Sequence, residues 1–213
     1  TTYFVEPARY TLDLIENVHK KSGFKYRFLF SKSLASKKII KGIKQNGFLE
    51  QLRILKNDFY SNDLIIFNGF YNRELWFLFL LCLLSKKKVF LGLESDTMLK
   101  PLNKNPLIEI VKKTALSILF NKSYVYGFPG GFGSHVELFK KYGMAQERIV
   151  TLPMVINNST FMPNSRKNKP FTFLFVGRFV KLKNIELIIE SFLNLNLENT
   201  LLNLVGEGEV KKR

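Results

Sequence analysis

Three places in this 213-residue chain bring together side chains able to do chemistry. The densest follows the apolar run at 171–176. Gly177 closes that run, Arg178, Lys181 and Lys183 come next, and Ile185, Ile188, Ile189 and Phe192 then recur at helical spacing. A strand, a cluster of cations and a helix start put positive charge where free helix N–H groups also point. That composition suits an anion site at the carboxyl edge of a parallel sheet. Arg grips two phosphate oxygens through its planar fork and Lys acts as a point charge, so a diphosphate is the matching ligand. The same residues also read as solvated loop charges in a lysine-rich chain.

The second place is Glu94-Ser95-Asp96, directly after the apolar run 89–93. If the strand continues through them, Glu94 and Asp96 project to one side, where a carboxylate accepts a hydrogen bond from a substrate hydroxyl. The alternative is that Asp96 caps the following turn. The third place is the glycine-rich 127–134, GFPGGFGS, ahead of a helical pattern. It either offers N–H groups to an anion or turns the chain, with Ser134 as helix N-cap and His135 on the surface of the first turn. His19 falls near a helix C-terminus and is given no role. With two histidines and the single cysteine Cys82, neither a Cys/His metal set nor an internal disulfide can be built, so no metal is expected and a reducing compartment fits.

These residues need elements to hold them. Apolar runs at 3–5, 26–30, 64–67, 89–93, 123–126 and 148–152 read as strands, and helical spacing marks 9–21, 48–55, 72–84, 107–120 and 135–142. Strands that are apolar throughout and alternate with helices predict an α/β, doubly wound, Rossmann-like parallel sheet for residues 1–156. A polar, Pro-bearing connector at 157–170 follows. From 171 to 213 the alternation restarts with a strand at 171–176, a helix from about 184 and a strand at 201–205 ended by Gly206-Glu207-Gly208. Some 44 residues are too few to cover both faces of a sheet, so this is read as the incomplete start of a second Rossmann-like domain.

Composition sets the outer limits. Lys and Arg number 33 against 17 Asp and Glu, a net charge of +16, while 46% of residues are apolar and 21 are Phe. That excludes a collagen-like, coiled-coil or disordered chain and describes a folded protein with a basic surface, suited to phosphates, nucleic acid or an acidic membrane face. The most apolar stretch, which includes 76–84, falls well short of the roughly 18–20 residues a spanning helix needs. It reads as a buried helix, with a membrane-seated face flanked by Lys86, Lys87 and Lys88 as the alternative. No signal peptide is read at the N-terminus, and the absence of an initiator Met there suggests that Thr1 is not the native start.

The segment 171–209 resembles the start of the donor domain of the family 4 retaining glycosyltransferases, which have the two-Rossmann-domain GT-B fold. The family's pattern of strand, Gly-Arg, four residues, Lys followed by Gly or Asn, apolar helix, and strand ended by Gly-acidic-Gly stands here as Gly177-Arg178, Lys183-Asn184 and Gly206-Glu207-Gly208. The resemblance implies that Arg178 and Lys183, with Gly177, Gly206 and Gly208 around them, hold the diphosphate of a nucleotide-sugar donor and stabilise the charge that grows as the glycosidic bond breaks. No cofactor or metal is needed, and the acceptor is a glycan or lipid-linked sugar of surface polysaccharide or glycolipid synthesis. The expected location is the cytoplasm, at the inner face of the plasma membrane, with anionic lipid as a partner and no nucleic acid.

Residues 1–155 resemble the family's acceptor domain more loosely. Where many relatives carry a His at a strand end, Glu94 and Asp96 stand instead, as candidate catalytic groups. Where relatives often have a Gly pair after the first strand, Glu6-Pro7-Ala8 stands. The family's downstream paired glutamates would lie past Arg213, so the chain is expected to be a fragment of a longer enzyme or an inactive, truncated relative. The other class of reading is a basic, non-catalytic module binding nucleic acid.

Overall fold

The computed structural model describes residues 1–32, 40–70, 72–95, 106–152 and 170–209, in two compact units, Thr1–Asn157 and Asn158–Arg213. The first unit runs β1 (Thr2–Phe4), α1 (Arg9–Ser22), β2 (Tyr26–Phe28), α2 (Phe48–Ser61), β3 (Leu64–Asn68), α3 (Arg73–Leu84), β4 (Phe90–Ser95), α4 (Pro106–Phe120), β5 (Val125–Pro129) and α5 (Ser134–Lys141). All five strands pair in parallel, in the order β2-β1-β3-β4-β5. This is an α/β architecture compatible with a Rossmann-like fold.

The chain leaves β1 in one direction to reach β2, then returns past β1 to β3, β4 and β5. Right-handed crossovers therefore put α1 on one face and α2, α3 and α4 on the other. The core divides accordingly. Tyr3, Ile65, Phe67, Leu91, Leu93 and Val125, the odd-numbered strand positions, pack in one large cluster with Leu55 and Phe59 of α2, Leu75 and Leu78 of α3, Phe120 of α4 and Phe139 of α5. Phe4, Ile15 and Phe28 form a small cluster under α1. Period-two alternation thus gives one deeply buried face and one thinly covered face.

Several element ends differ from the sequence expectation, each for a packing reason. Helix α2 runs on from the expected 55 to Ser61. Asp58, past the expected end, is buried (5% exposed) because the Tyr3 hydroxyl donates to it and Arg27 Nη2 donates to its Oδ1 at 2.7 Å. Phe59 then continues the buried stripe. Strand β5 includes Gly127, expected to end it. A Cβ there would meet Phe139 and the Met144 sulfur at 2.9 Å, so the missing side chain lets the α5 segment lie directly on the strand. The expected strand at 148–152 is a single bridge, Ile149 to Gly127, after a 3-10 turn at Gln146–Arg148. Arg148 instead turns its Nη1 toward the carbonyls of Phe120, Lys122 and Val125 at 2.6–3.0 Å.

The second unit contains β6 (Phe171–Val176), α6 (Ile185–Leu195) and β7 (Thr200–Val205), with β6 and β7 parallel and in register along their whole length. One helix covers one side of a two-stranded sheet. The other side stays bare: Leu174, Val176, Leu201 and Val205 are 48–68% exposed. The expected connector 157–170 lies outside the described residues except for Pro170.

Candidate functional site

Open parallel sheets bind ligands beyond the carboxyl ends of their strands, where the strand order reverses. Here the reversal falls between β1 and β3. Strand β4 continues through Ser95, further than the expected 93, so Glu94 stands on a strand end with its register partners Asn68 and Phe128 on either side. Asn68 Nδ2 donates to Glu94 Oε2 at 2.8 Å, and the Gly69 N–H donates to the Glu94 carbonyl at 2.7 Å. Gly69 makes that turn at φ +85°, which a residue with a side chain rarely adopts. The carboxylate is thus held on two strands. Asp96, the other candidate catalytic residue, lies outside the described residues.

Glu94 and Asn68 form one end of a cavity of about 460 Å³ between α1 and the thinly covered sheet face. Tyr10, Leu14 and Val18 of α1 form its roof and Phe4, Ile66 and Phe128 its apolar floor. A Cβ on Gly92 would collide with the Phe128 ring, so this glycine lets the ring lie across β4. At the far end Thr2, 4% exposed, lines the cavity, and its hydroxyl has no hydrogen-bond partner among the described residues.

Behind the site, burial and the adjacent Asp58 carboxylate push the Tyr3 phenol well above its ordinary range, and hydrogen bonding to Asp58 raises the Arg27 guanidinium. On the same edge, Glu74 at the start of α3 is 1% exposed, with Arg73 Nε at 3.4 Å and Lys44 Nζ at 3.8 Å. Nothing in the sequence marks Asn68 or Asp58 as partners, because their contacts join residues far apart in the chain; only the Asn68-Gly69 turn signal pointed to the right place.

In the second unit the cations sit in the turn after β6. Arg178, Lys181 and Lys183 are exposed and have no ion-pair partner among the described residues. Lys181–Lys183 form a 3-10 turn, and Asn184 leads into α6 with φ +48° and ψ +50°. That left-handed conformation is open to Gly and, among other residues, chiefly to Asn and Asp. The Phe179 N–H donates to the Glu207 carbonyl at 2.8 Å and the Gly177 N–H to the Val205 carbonyl at 3.0 Å, so the two strand-end turns run side by side. A Cβ on Gly206 would strike the Gly177 carbonyl, and one on Gly208 the Phe179 backbone. Gly206 and Gly208 therefore have a packing role beside whatever they do for a ligand.

The third place departs from expectation. Gly133, at φ +62°, and not Ser134, is the N-cap of α5, and its cap has no side-chain hydrogen bond. His135 turns inward over Gly131, with its Nδ1 buried and without a hydrogen-bond partner among the described residues. Among the described residues no group of His, Cys, Asp or Glu is arranged to hold a metal ion, and no helix is long and apolar enough to cross a membrane. No protein-family model matches this chain, and a search of curated proteins finds no match either.

Proposed function

We propose that this chain carries the acceptor-side domain and the opening of the donor domain of a retaining glycosyltransferase of GT-B fold, which moves a sugar from a nucleoside-diphosphate donor to a glycan or lipid-linked acceptor. The observation that carries the reading is the Lys183-Asn184 junction. The resemblance asks for Lys followed by Gly or Asn, and Asn184 occupies the left-handed conformation that such a choice answers. Arg178, Lys181 and Lys183, without an ion-pair partner among the described residues, gather there past the carboxyl end of β6, and two glycines allow the neighbouring turn to approach. In this reading Arg178 and Lys183 hold the diphosphate and offset the charge developing on the leaving group, the usual main contribution in such chemistry. Glu94 faces the acceptor, accepting a hydrogen bond from its hydroxyl. The net charge of +16 favours a peripheral contact with anionic lipid at the inner face of the plasma membrane.

Calorimetric titration of uridine and guanosine diphosphate into the chain at low salt tests the donor side. Binding should weaken at least tenfold in Arg178→Ala and in Lys183→Ala, and Lys181→Ala should change it less. Equal affinity in all four proteins would remove the reading.

A further inference from the structure

The cavity under α1 has the make-up of a small-molecule site: about 460 Å³, walls mostly apolar, and a few polar groups at fixed positions. It lies along the sheet face and involves neither Arg178 nor Lys183; it shares Glu94 with the acceptor side of the sugar-transfer reading, but ligand binding in it does not depend on that reading. A volume of this order lies within the roughly 300–1,000 Å³ of small-molecule pockets. The polar groups define the ligand further. Thr2 lies level with Ile66, two residues short of Asn68, and Glu94 is one strand beyond Asn68. Two strand spacings and two residues put about 12 Å between the ends. One end is marked by the buried Thr2 hydroxyl, which has no hydrogen-bond partner among the described residues. The other end is a carboxylate steadied by Asn68, an acceptor for a donor group. Between them lie Phe4, Ile66 and Phe128 below and Leu14 above.

We propose that this cavity binds a small amphiphile with an apolar body about 12 Å long and an ammonium or hydroxyl group that docks on Glu94. The polarity is specific: a carboxylate at that end would meet Glu94 as a like charge. A net charge of +16 attracts anions over the whole surface, so a preference for the amine runs against the bulk field and reports the cavity.

Displacement of the apolar fluorophore 1-aminoanthracene from the full chain, by n-decylamine, n-decanol and n-decanoate, tests it. Decylamine should compete at least tenfold better than decanoate, with decanol between them. Glu94→Gln should abolish that preference and leave decanol unchanged. Leu14→Trp should fill the cavity and suppress fluorophore binding with unchanged circular dichroism. Tyr10→Trp, at a 44% exposed position, serves as the second filling variant if Leu14→Trp misfolds. No binding, equal competition by the three amphiphiles, or binding indifferent to the filling variants would overturn the proposal. So would a signal that falls as the chain is concentrated, which would mean that a second copy covers the groove.

Discussion

Glu94 and the pair Arg178 and Lys183 occupy the same kind of position, just beyond the carboxyl end of a parallel strand, yet they are held there by different means. Glu94 sits on a sheet with one face closed by four helices, and an amide from the neighbouring strand fixes its carboxylate. Arg178 and Lys183 project from a turn on a two-stranded sheet whose outer-face residues Leu174, Val176, Leu201 and Val205 are 48–68% exposed, and backbone contacts allowed by Gly206 and Gly208 fix that turn. The first geometry is enforced by a core. The second is enforced by local chain chemistry, a left-handed Asn and two glycines. A position of the first kind tolerates change at its own residue better than change in the packing behind it, and a position of the second kind does the reverse.

The comparison is most exposed to failure in the cores. Phe120 is fully buried and its ring lies 5.2 Å from Phe139, 5.8 Å from Phe70 and 6.1 Å from Tyr142. Phe120→Ala should cost about 3–5 kcal/mol in denaturant unfolding of the first unit. Phe192→Ala, a partly exposed site in the second unit, should cost markedly less, and equal losses would erase the distinction. Next in size is Gly206→Ala. Its methyl group cannot fit against the Gly177 carbonyl, so about 1–3 kcal/mol of overpacking falls on the turn that carries the cations. Trypsin cleavage at Arg178 and Lys183 should speed up by roughly tenfold or more, as about 1.4 kcal/mol of local opening implies, while cleavage in the first unit stays unchanged.

The smallest expected effect is on pH dependence. Tyr3 is a phenol whose folded value lies above its ordinary 10.0, owing to burial and Asp58. The folded state then keeps a proton that the unfolded chain releases, so this contribution is complete below pH 10 and is lost as pH rises from there. Tyr3→Phe should lower stability by about 1–2 kcal/mol near neutrality and flatten the decline above pH 10. A decline equally steep in both proteins would place its origin elsewhere.

Much of the fold was legible because its signals are local. Leu64 to Phe67 is apolar without interruption and Phe171 to Val176 is broken only by Thr172, the pattern of strands in parallel sheets, and both appear where expected. Helix ends and strand ends were less legible. Helical spacing placed the end of α2 at Leu55, and the pairing of Asp58 with Tyr3 and Arg27 lets the buried helix run on to Ser61. Of the site, Glu94 was visible as a carboxylate after an apolar run. Asn68, which holds it, was visible only as a turn residue, since no local pattern reveals a contact spanning 26 residues.

By itself, then, the sequence determined the alternation of strands and helices and the placing of cations in the turn after β6. Each of these depends on side-chain period or on backbone sterics within a few residues. Tertiary structure alone decided that α1, among the described helices, stands by itself on one sheet face, that a cavity remains beneath it, and that Thr2, Asn68 and Glu94 share its walls. Those outcomes follow from strand order and crossover hand, which set distances between residues that the chain keeps far apart.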